Sequence, residues 1–355
     1  MDSNILAKHS IDYALWEVTP KCNLSCIHCR ASASPWVNEN NLIRGDAVYN
    51  LIDSLSNLKT KVLVLTGGEP LLRDDLEEII SYARKKSIKC RIQSNGLLLT
   101  ENRILKLKES GIFSFGIGLD SPNPETHDYI RNKKGAFEQA IKIINLLKQN
   151  DVKCHIEFTL TKLNNNQLEE MFNLLNILAI DTFLMRAAIF EGRATTDNES
   201  FVLSAIEYRD ALKKLHELSK KYPNIIANSQ DPLYHLVDSR IKENLNKVGD
   251  IQSGKIISGC TVGVNMVHIR TNGDIGQCTF LPNITLGNCL KTPLEQIWDE
   301  RFQSNNNLCN IALRNFTGKC GKCTDKYICG GCRARAYKLN NDLLSEDPYC
   351  WKNII

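Results

Sequence analysis

The chain has 355 residues, 43% of them hydrophobic and 24% charged, which is ordinary for a globular protein with one large domain and a smaller one. The formal net charge of +4, from 44 basic and 40 acidic residues, is too small to indicate binding to nucleic acid or to an anionic membrane. No apolar run approaches the roughly 20 residues of a membrane-spanning helix, and the first residues lack the apolar core of a signal peptide. We therefore expect a cytoplasmic protein.

From residue 12 to about 190, short β-rich runs alternate with amphipathic stretches. The strand candidates, each followed by turn residues, are 12–19, 61–68, 89–96, 113–121, 152–160 and 181–189. Helical patterns separate them, and connections long enough for a helix predict parallel strands. Six units are too few for a closed eight-stranded barrel. We therefore expect an α/β fold with a partial (β/α)6 TIM-like barrel, whose active site lies at the carboxyl ends of the strands.

The organisation changes after the last of these strands. Residues 204–222 predict one more amphipathic helix, and residues 223–258 give weak signals. From about residue 255 the composition shifts to Gly, Asn and Cys. We therefore predict a barrel domain over residues 1–245 and a small Cys-rich C-terminal domain over residues 246–355.

Cysteine is abundant and unevenly placed in this chain. Of 14 cysteines, three lie at Cys22, Cys26 and Cys29, and nine follow residue 259. In a large cytosolic chain this number indicates metal or redox chemistry rather than disulfides. The distribution predicts two metal-bearing regions separated by an ordinary core.

The first three cysteines form the pattern C-x3-C-x2-C in KCNLSCIHCRASAS, directly after the first predicted strand. A structural zinc site uses four ligands, and a disulfide uses two cysteines. Three thiolates on one loop can instead hold three irons of a [4Fe–4S] cube and leave the fourth iron an exchangeable site. Because this loop follows the first strand, we expect it at the mouth of the barrel.

This loop, together with GGEP after the second strand, resembles the radical S-adenosylmethionine (SAM) superfamily. The resemblance implies that Cys22, Cys26 and Cys29 bind a [4Fe–4S] cluster whose open iron is chelated by SAM, and that they are the catalytic centre. Reduction of the cluster would cleave SAM to methionine and a 5′-deoxyadenosyl radical, which abstracts a hydrogen atom from the substrate. An external one-electron donor of the flavodoxin or ferredoxin type is then required. The residue before the third cysteine, often aromatic in the family, is His28 here.

The same resemblance implies SAM-binding residues at the ends of the predicted strands. The GGEP residues, which would receive the methionine amino group, are Gly67, Gly68, Glu69 and Pro70. Ser94, Asn95 and Asp120 match positions that approach the ribose or the methionine moiety, with a plain turn as the alternative for the first two. Arg186 is a candidate for the methionine carboxylate, with an ordinary salt bridge as the alternative.

The C-terminal cysteines read C-x12-G-x4-C, then C-x2-C-x5-C-x2-C, then one last cysteine. Seven cysteines leave a remainder if they form four-cysteine zinc sites, but they suffice for one four-cysteine and one three-cysteine cluster. The pattern resembles the SPASM domain, an extension that carries two auxiliary [4Fe–4S] clusters. The resemblance implies two ligand sets, auxiliary cluster I with Cys260, Cys278 and Cys332, and auxiliary cluster II with Cys320, Cys323, Cys329 and Cys350. The x2 spacing before Cys332 departs from the usual x3.

Four cysteines remain outside these sets. Auxiliary cluster I has either an open iron or a fourth ligand from Cys289 or Cys309. Cys90 and Cys154 lie on predicted strands, and we interpret them as small buried hydrophobic residues.

Three hypotheses for the function follow. WEVTPKCNLSCIHCRASA and CGKCTDKYICGGCRARAYKLNNDLLSEDPYC resemble the branch that forms heme and heme d1, but the same signatures occur in peptide-modifying relatives. We favour an enzyme that modifies a ribosomally made peptide through a crosslink, a thioether or an epimerisation. The alternative is decarboxylation or trimming of propionate side chains of an iron tetrapyrrole. Four arginines could contact propionates, namely Arg186, Arg193, Arg333 and Arg335. Their default interpretation is as solvated surface residues. A non-catalytic iron–sulfur electron-transfer protein is the third hypothesis, and the intact GGEP disfavours it.

Overall fold

The computed structural model describes residues 10–39, 41–195, 201–248 and 259–352. A ten-stranded sheet organises them, in the order β10-β9-β8-β1-β2-β3-β4-β5-β6-β7. The strands are β1 (Tyr13–Thr19), β2 (Val62–Gly67), β3 (Lys89–Ser94), β4 (Ser114–Gly118), β5 (Cys154–Leu160), β6 (Thr182–Ala187), β7 (Ile226–Ser229), β8 (Met266–Ile269), β9 (Asp274–Gly276) and β10 (Thr285–Asn288). Neighbours from β1 to β7 are all parallel. The six predicted strands are confirmed as β1 to β6, and the sheet stays open, as expected for a partial barrel.

Helices connect these strands. They are α1 (Asp46–Asn57), α2 (Leu76–Lys85), α3 (Glu101–Ser110), α4 (Pro124–Arg131), α5 (Ala136–Gln149), α6 (Leu168–Ile177), α7 (Ala205–Lys221), α8 (Ser239–Val248), α9 (Leu294–Ser304), α10 (Asn306–Ala312), α11 (Gly318–Lys322) and α12 (Arg333–Asn340). A side-chain cap is present at the starts of α3, α4, α7 and α10. For α7, Ser204 and Glu207 form a reciprocal capping box. Among the described residues, no helix has the length and apolar character needed to cross a membrane.

The two faces of the strands differ in chemistry. Residues such as Trp16, Leu65 and Phe115 pack into one large hydrophobic core with the helices. The alternate residues point into the barrel, because side chains on a strand alternate between faces. On β3 and β5 these inward residues are polar, namely Arg91, Gln93, His155 and Glu157. The barrel interior is therefore a cavity with polar residues on β3 and β5 and apolar ones, such as Leu15, Val64 and Leu184, on the other strands.

The C-terminal region continues the barrel sheet. Strand β8 pairs in parallel with β1, and β9 and β10 follow as antiparallel strands. The side-chain amide of Asn265 donates to Asp12 Oδ2 at 2.7 Å and ties the two regions beside this pairing. The predicted boundary at residues 245/246 falls in α8, and residues 249–258 lie outside the described residues, so the two-domain division remains a prediction.

Candidate active site

The cysteine loop lies between β1 and α1, at the carboxyl end of the sheet. Cys22 and Cys26 are each 8% exposed, and Cys29 is half-buried. The backbone N–H of Leu24 donates to Cys22 Sγ at 3.4 Å. Burial raises the pKa of Cys22 to about 12. A thiol in this setting becomes a stable thiolate when a metal compensates its charge.

A turn after β6 holds this loop in place. Arg193 donates through Nε to the Cys26 carbonyl at 2.7 Å and through Nη2 to the Ala33 carbonyl at 2.8 Å, while its backbone N–H donates to the Cys29 carbonyl at 3.0 Å. Gly192 has φ +61°, and a Cβ there would lie 2.3 Å from the Arg30 carbonyl oxygen. Only glycine permits this close approach, so the turn and the cysteine loop form one rigid unit.

The GGEP residues run beside the start of the cysteine loop. Gly68 N donates to the Thr19 carbonyl at 2.7 Å, and Glu69 N donates to the Lys21 carbonyl at 2.8 Å. A Cβ on Gly68 would lie 2.0 Å from the Lys21 carbonyl oxygen. Pro70 begins a short helical turn that Glu69 caps by accepting from Leu71 N at 3.2 Å. The glycines therefore permit β2 to approach the cysteine loop closely.

Glu69 joins the ends of β2 and β3. Its Oε1 accepts from Ser94 Oγ at 2.7 Å, and its Oε2 accepts from Asn95 N at 2.9 Å. The Asn95 side-chain amide donates to Asn23 Oδ1 at 2.8 Å and lies 3.8 Å from Cys22 Sγ. Glu69 is 1% exposed, and burial raises its pKa. Within the described ranges no basic side chain forms an ion pair with Glu69, and the charge of Arg131 favours its ionised form without outweighing burial.

Asp120 occupies a different position from Ser94 and Asn95. Its carboxylate is fully buried, forms an ion pair with Arg131 at 2.8 Å and lies 3.2 Å from His28 Nε2. Thr159 N also donates to it at 2.9 Å. Burial opposes its ionisation, but Arg131 and His28 outweigh burial and lower the pKa of Asp120. These contacts indicate that Asp120 positions residues around the cysteine loop.

Arg131 is a site residue that sequence reasoning missed. It ends α4, lines the cavity beside the cysteine loop and places its guanidinium against the Cys26 thiol. Gly118 makes room for it, since a Cβ there would lie 2.3 Å from Arg131 Nη2. A basic residue in the last turn of a helix is common, so the sequence carried no signal for this contact.

A cavity of about 240 Å³ opens over the cysteine loop. The predicted residues that line it are Cys22, Cys26, Cys29, Gly67, Gly68, Glu69, Ser94, Asn95 and Arg186. Arg186 Nη2 lies 3.3 Å from Glu157 Oε2, and Glu157 also accepts from Gln93 Nε2 at 3.0 Å. Arg186 therefore has an acidic partner and still faces the cavity.

A second cavity, of about 440 Å³, continues from the first and shares Leu15, Gln93, Glu157 and Arg186 with it. Cys260, Cys278 and Cys332 all line this inner cavity. The structure thus brings together the three cysteines that the sequence grouped as one set. The arrangement places them across a shared space from the first cysteine loop.

The remaining C-terminal set surrounds a separate small cavity, which is lined by Cys320, Cys323, Cys329 and Cys350. Backbone N–H groups point at three of these sulfurs, with Asp347 N 3.4 Å from Cys320 Sγ and Gly331 N 3.3 Å from Cys329 Sγ. Asp325 N is likewise 3.4 Å from Cys323 Sγ. Donors to sulfur are typical of sites that hold anionic iron–sulfur clusters.

Cysteines outside these sets pack elsewhere. Cys90 is 1% exposed in the main core, which Cys154 and Cys289 also contact, and Cys309 packs near Phe302. Over residues 10–39, 41–195, 201–248 and 259–352, no three His, Cys, Asp or Glu side chains converge tightly enough to hold a single metal ion.

Two of the four arginines suggested for propionate binding are structural. Arg333 is 0% exposed and donates to the carbonyls of Leu343 and Ser345 at 2.9 and 2.7 Å. Arg335 is 3% exposed and forms ion pairs with Asp231 and Asp347. The expectation that they are solvated is wrong, because both cross-link the C-terminal region internally. Arg193 holds the cysteine loop, so Arg186 is the one of these four arginines that remains a candidate for contact with a propionate.

A three-residue contact links the two cysteine regions. Arg30, next to Cys29, forms an ion pair with Glu17 at 2.8 Å and lies 3.3 Å from the carbonyl of Thr279, next to Cys278. His268 Nε2 lies 3.1 Å from the same Glu17 carboxylate. Burial opposes ionisation of Glu17, but His268 and Arg30 outweigh it and lower its pKa to about 2. The largely buried Glu17 carboxylate therefore holds Arg30 and His268 beside the two cavities.

Two family models match the chain. Residues 16–175 match the Radical SAM superfamily, and residues 260–333 match SPASM, an iron–sulfur cluster-binding domain. Together they include the first cysteine loop, GGEP, and six of the seven C-terminal cysteines discussed above.

Similar proteins with curated names fall into two groups. AdoMet-dependent heme synthase of Nitratidesulfovibrio vulgaris is 32% identical over 94% of this chain and 90% of its own length. Pre-heme d1 synthase of Dinoroseobacter shibae is 29% identical over 95% of this chain and 85% of its own. The subtilosin biosynthesis protein AlbA of Bacillus subtilis is 24% identical over 92% of this chain and 68% of its own.

Among solved structures, Streptococcus suis SuiB bound to S-adenosylmethionine aligns with a TM-score of 0.76 at 16% identity. The alignment covers 97% of this chain and 78% of that one. At this identity the likeness shows a common fold, which confirms the expected barrel architecture.

Proposed function

The chain belongs to the radical SAM superfamily and carries a SPASM domain, and on this premise we propose that it decarboxylates or trims propionate side chains of an iron tetrapyrrole. It is a SAM-dependent enzyme with a SAM-binding [4Fe–4S] cluster and auxiliary clusters. The observation that carries the substrate proposal is the 32% identity to a heme synthase over nearly both full lengths. Modification of a peptide, which the sequence alone favoured, is less supported, since AlbA is 24% identical to this chain and the alignment covers 68% of AlbA.

The first cavity supports a division of roles around the cofactor. We assign the cluster to Cys22, Cys26 and Cys29, and the methionine amino group of SAM to the neighbourhood of Glu69. When bound, cluster and SAM supply a carbon radical that abstracts a hydrogen atom from the substrate. The chain's own contribution is positional, because Gly68 permits the close approach of β2 and Asn95 links Glu69 to the cysteine loop.

The inner cavity is the proposed substrate site. It continues from the SAM cavity, and its volume lies within the usual range for small-molecule pockets. Cys260, Cys278 and Cys332 line it and are the proposed ligands of auxiliary cluster I, while Cys320, Cys323, Cys329 and Cys350 are those of cluster II. Because neither Cys289 nor Cys309 lines the inner cavity, we propose that cluster I keeps an open iron toward the substrate.

Electrons must come from outside the chain, and we propose a flavodoxin- or ferredoxin-type donor. The test is an anaerobic assay with reconstituted protein, SAM, that donor or a chemical reductant, and iron-coproporphyrin, read by mass spectrometry. We expect loss of carboxyl groups from the porphyrin together with formation of 5′-deoxyadenosine. Cleavage of SAM with an unchanged porphyrin would contradict the tetrapyrrole proposal and direct the search to peptides.

A further inference from the structure

Arg91 stands out among the cations of the inner cavity because its charge is unmatched. It points inward from β3 and lines the cavity with Tyr13, Leu15 and Val64. Its Nε is buried and has no hydrogen-bond partner. The guanidinium lies 5.4 Å from the centre of the Phe113 ring. Within the described part of the chain, no carboxylate forms an ion pair with it.

Other arginines around the two cavities are matched. Arg30 pairs with Glu17 at 2.8 Å, Arg131 with Asp120 at 2.8 Å and Arg186 with Glu157 at 3.3 Å. A guanidinium that is partly removed from water normally finds such a partner, because an unsatisfied buried donor is costly. Arg91 therefore has the chemistry of a receptor whose anion comes from a ligand.

Two lysines reinforce the positive charge beside Arg91. Lys89 Nζ lies 5.0 Å and Lys153 Nζ lies 5.6 Å from the centre of the same Phe113 ring. Both lysines are exposed at the starts of β3 and β5, and the described residues include no acidic ion-pair partner for either. Cation–π contact with solvated ammonium groups accounts for the two lysines. It does not account for Arg91, which is half-buried in the cavity lining and has no carboxylate partner among the described residues.

The position of Arg91 in the barrel matches a distant part of a large substrate. The SAM residues lie at the carboxyl ends of the strands, where Ser94 closes β3. Arg91 is three residues earlier on that strand, and at the usual rise per residue it lies roughly 10 Å deeper. If one edge of a macrocyclic substrate reacts near the cysteine loop, the opposite edge of the same molecule lies close to Arg91.

We propose that Arg91, with Lys89 and Lys153 at the rim, binds a non-reacting carboxylate of the substrate at the inner end of the cavity. This inference rests on the proposed function and adds a specificity-determining residue to it. The planar guanidinium can hold a carboxylate through two parallel hydrogen bonds. The anchored carboxylate then fixes which edge of the macrocycle faces the SAM site.

The test measures binding of iron-coproporphyrin to the anaerobic holoenzyme through the change in its Soret absorbance. We compare wild type, Arg91→Gln and Arg91→Lys, with Arg44→Gln as the control, because Arg44 is exposed and pairs with Asp74 on the outer surface. We expect Arg91→Gln to weaken binding at least about tenfold. Arg91→Lys should retain part of the affinity, and Arg44→Gln should bind as wild type does.

A second ligand separates a carboxylate contact from a structural role. The tetramethyl ester of the same iron porphyrin carries no charged carboxylate, so Arg91→Gln should leave its affinity unchanged. Equal weakening for acid and ester, or no weakening for the acid, would overturn the inference while the proposed function stands. If wild type binds no iron-coproporphyrin at all, both fail. Melting temperature and iron content of each variant verify that the fold is retained.

Discussion

At the scale of single residues, the site is defined by which charges have partners and which do not. Asp120 and Glu17 are buried carboxylates with cationic neighbours, and both have a lowered pKa. Glu69 is buried as fully as Asp120 but has a raised pKa, since its hydrogen bonds and the charge of Arg131 do not offset the loss of water. On this contrast we propose structural roles for Asp120 and Glu17 and a ligand-facing role for Glu69.

Replacing Glu69 tests that assignment. Glu69→Gln keeps the size and one acceptor but removes the charge, so we expect SAM affinity to fall about tenfold or more. Equilibrium dialysis of SAM with anaerobically reconstituted protein measures this. Glu78→Gln, at an exposed position on α2, is the control and should bind SAM normally. Unchanged affinity of Glu69→Gln would show that its carboxylate does not contact SAM.

At the scale of elements, the cysteine loop depends on the turn that follows β6. Gly192 and Gly45 both have a positive φ, of +61° and +56°. A Cβ on Gly45 meets nothing within 4 Å, whereas one on Gly192 would lie 2.4 Å from the Cys29 carbonyl oxygen. The pair separates the cost of the left-handed conformation from the cost of the clash.

Alanine at each glycine gives a measurable difference. Gly45→Ala should lower the free energy of unfolding by about 1–2 kcal/mol, because only the conformational cost applies. Gly192→Ala should lower it further and reduce the iron bound per chain, since the turn must move away from the cysteine loop. Urea unfolding and iron analysis measure both effects. If the two variants unfold with the same free energy and bind the same amount of iron, the turn after β6 does not hold the cysteine loop in place.

The individual elements also show which structural features can be predicted from the sequence. Strands β1 to β6 were predictable because each is a β-rich run with turn residues after it, and the cysteine spacings are local patterns. Strands β7 and β8 were not, since each has only four residues, and β8 also pairs with β1 near the other end of the chain. Arg91 and Arg131 were missed for the same reason. Their roles depend on Phe113, Asp120 and Cys26, which only the fold brings to them.

At the scale of the whole molecule, the pairing of β8 with β1 places the C-terminal cysteines beside the barrel. The Cys278 segment approaches the first cysteine loop through Arg30 and Glu17. The two cavities that result are continuous and share lining residues, while the set containing Cys320 lies around a separate cavity. Under the proposed function, this layout would put the substrate between the SAM site and auxiliary cluster I.

Cys332 decides whether this layout is correct, because its spacing departs from the SPASM pattern. It lines the inner cavity with Cys278 rather than the small cavity with Cys329. In a background without the first three cysteines, we expect Cys332→Ala and Cys278→Ala to lose the same cluster. Each should lower the iron content by about four per chain and abolish the same electron paramagnetic resonance signal.

Cys320→Ala should abolish the other signal, and Cys289→Ala, at a cysteine outside the three cavities, should change neither. Loss of one signal with retention of the other also shows that the variant is folded, because each cluster needs cysteines distant in sequence. If Cys332→Ala instead shares its lost signal with Cys320→Ala, Cys332 belongs to auxiliary cluster II. The inner cavity would then hold two cysteines, too few for the cluster that we place beside the substrate.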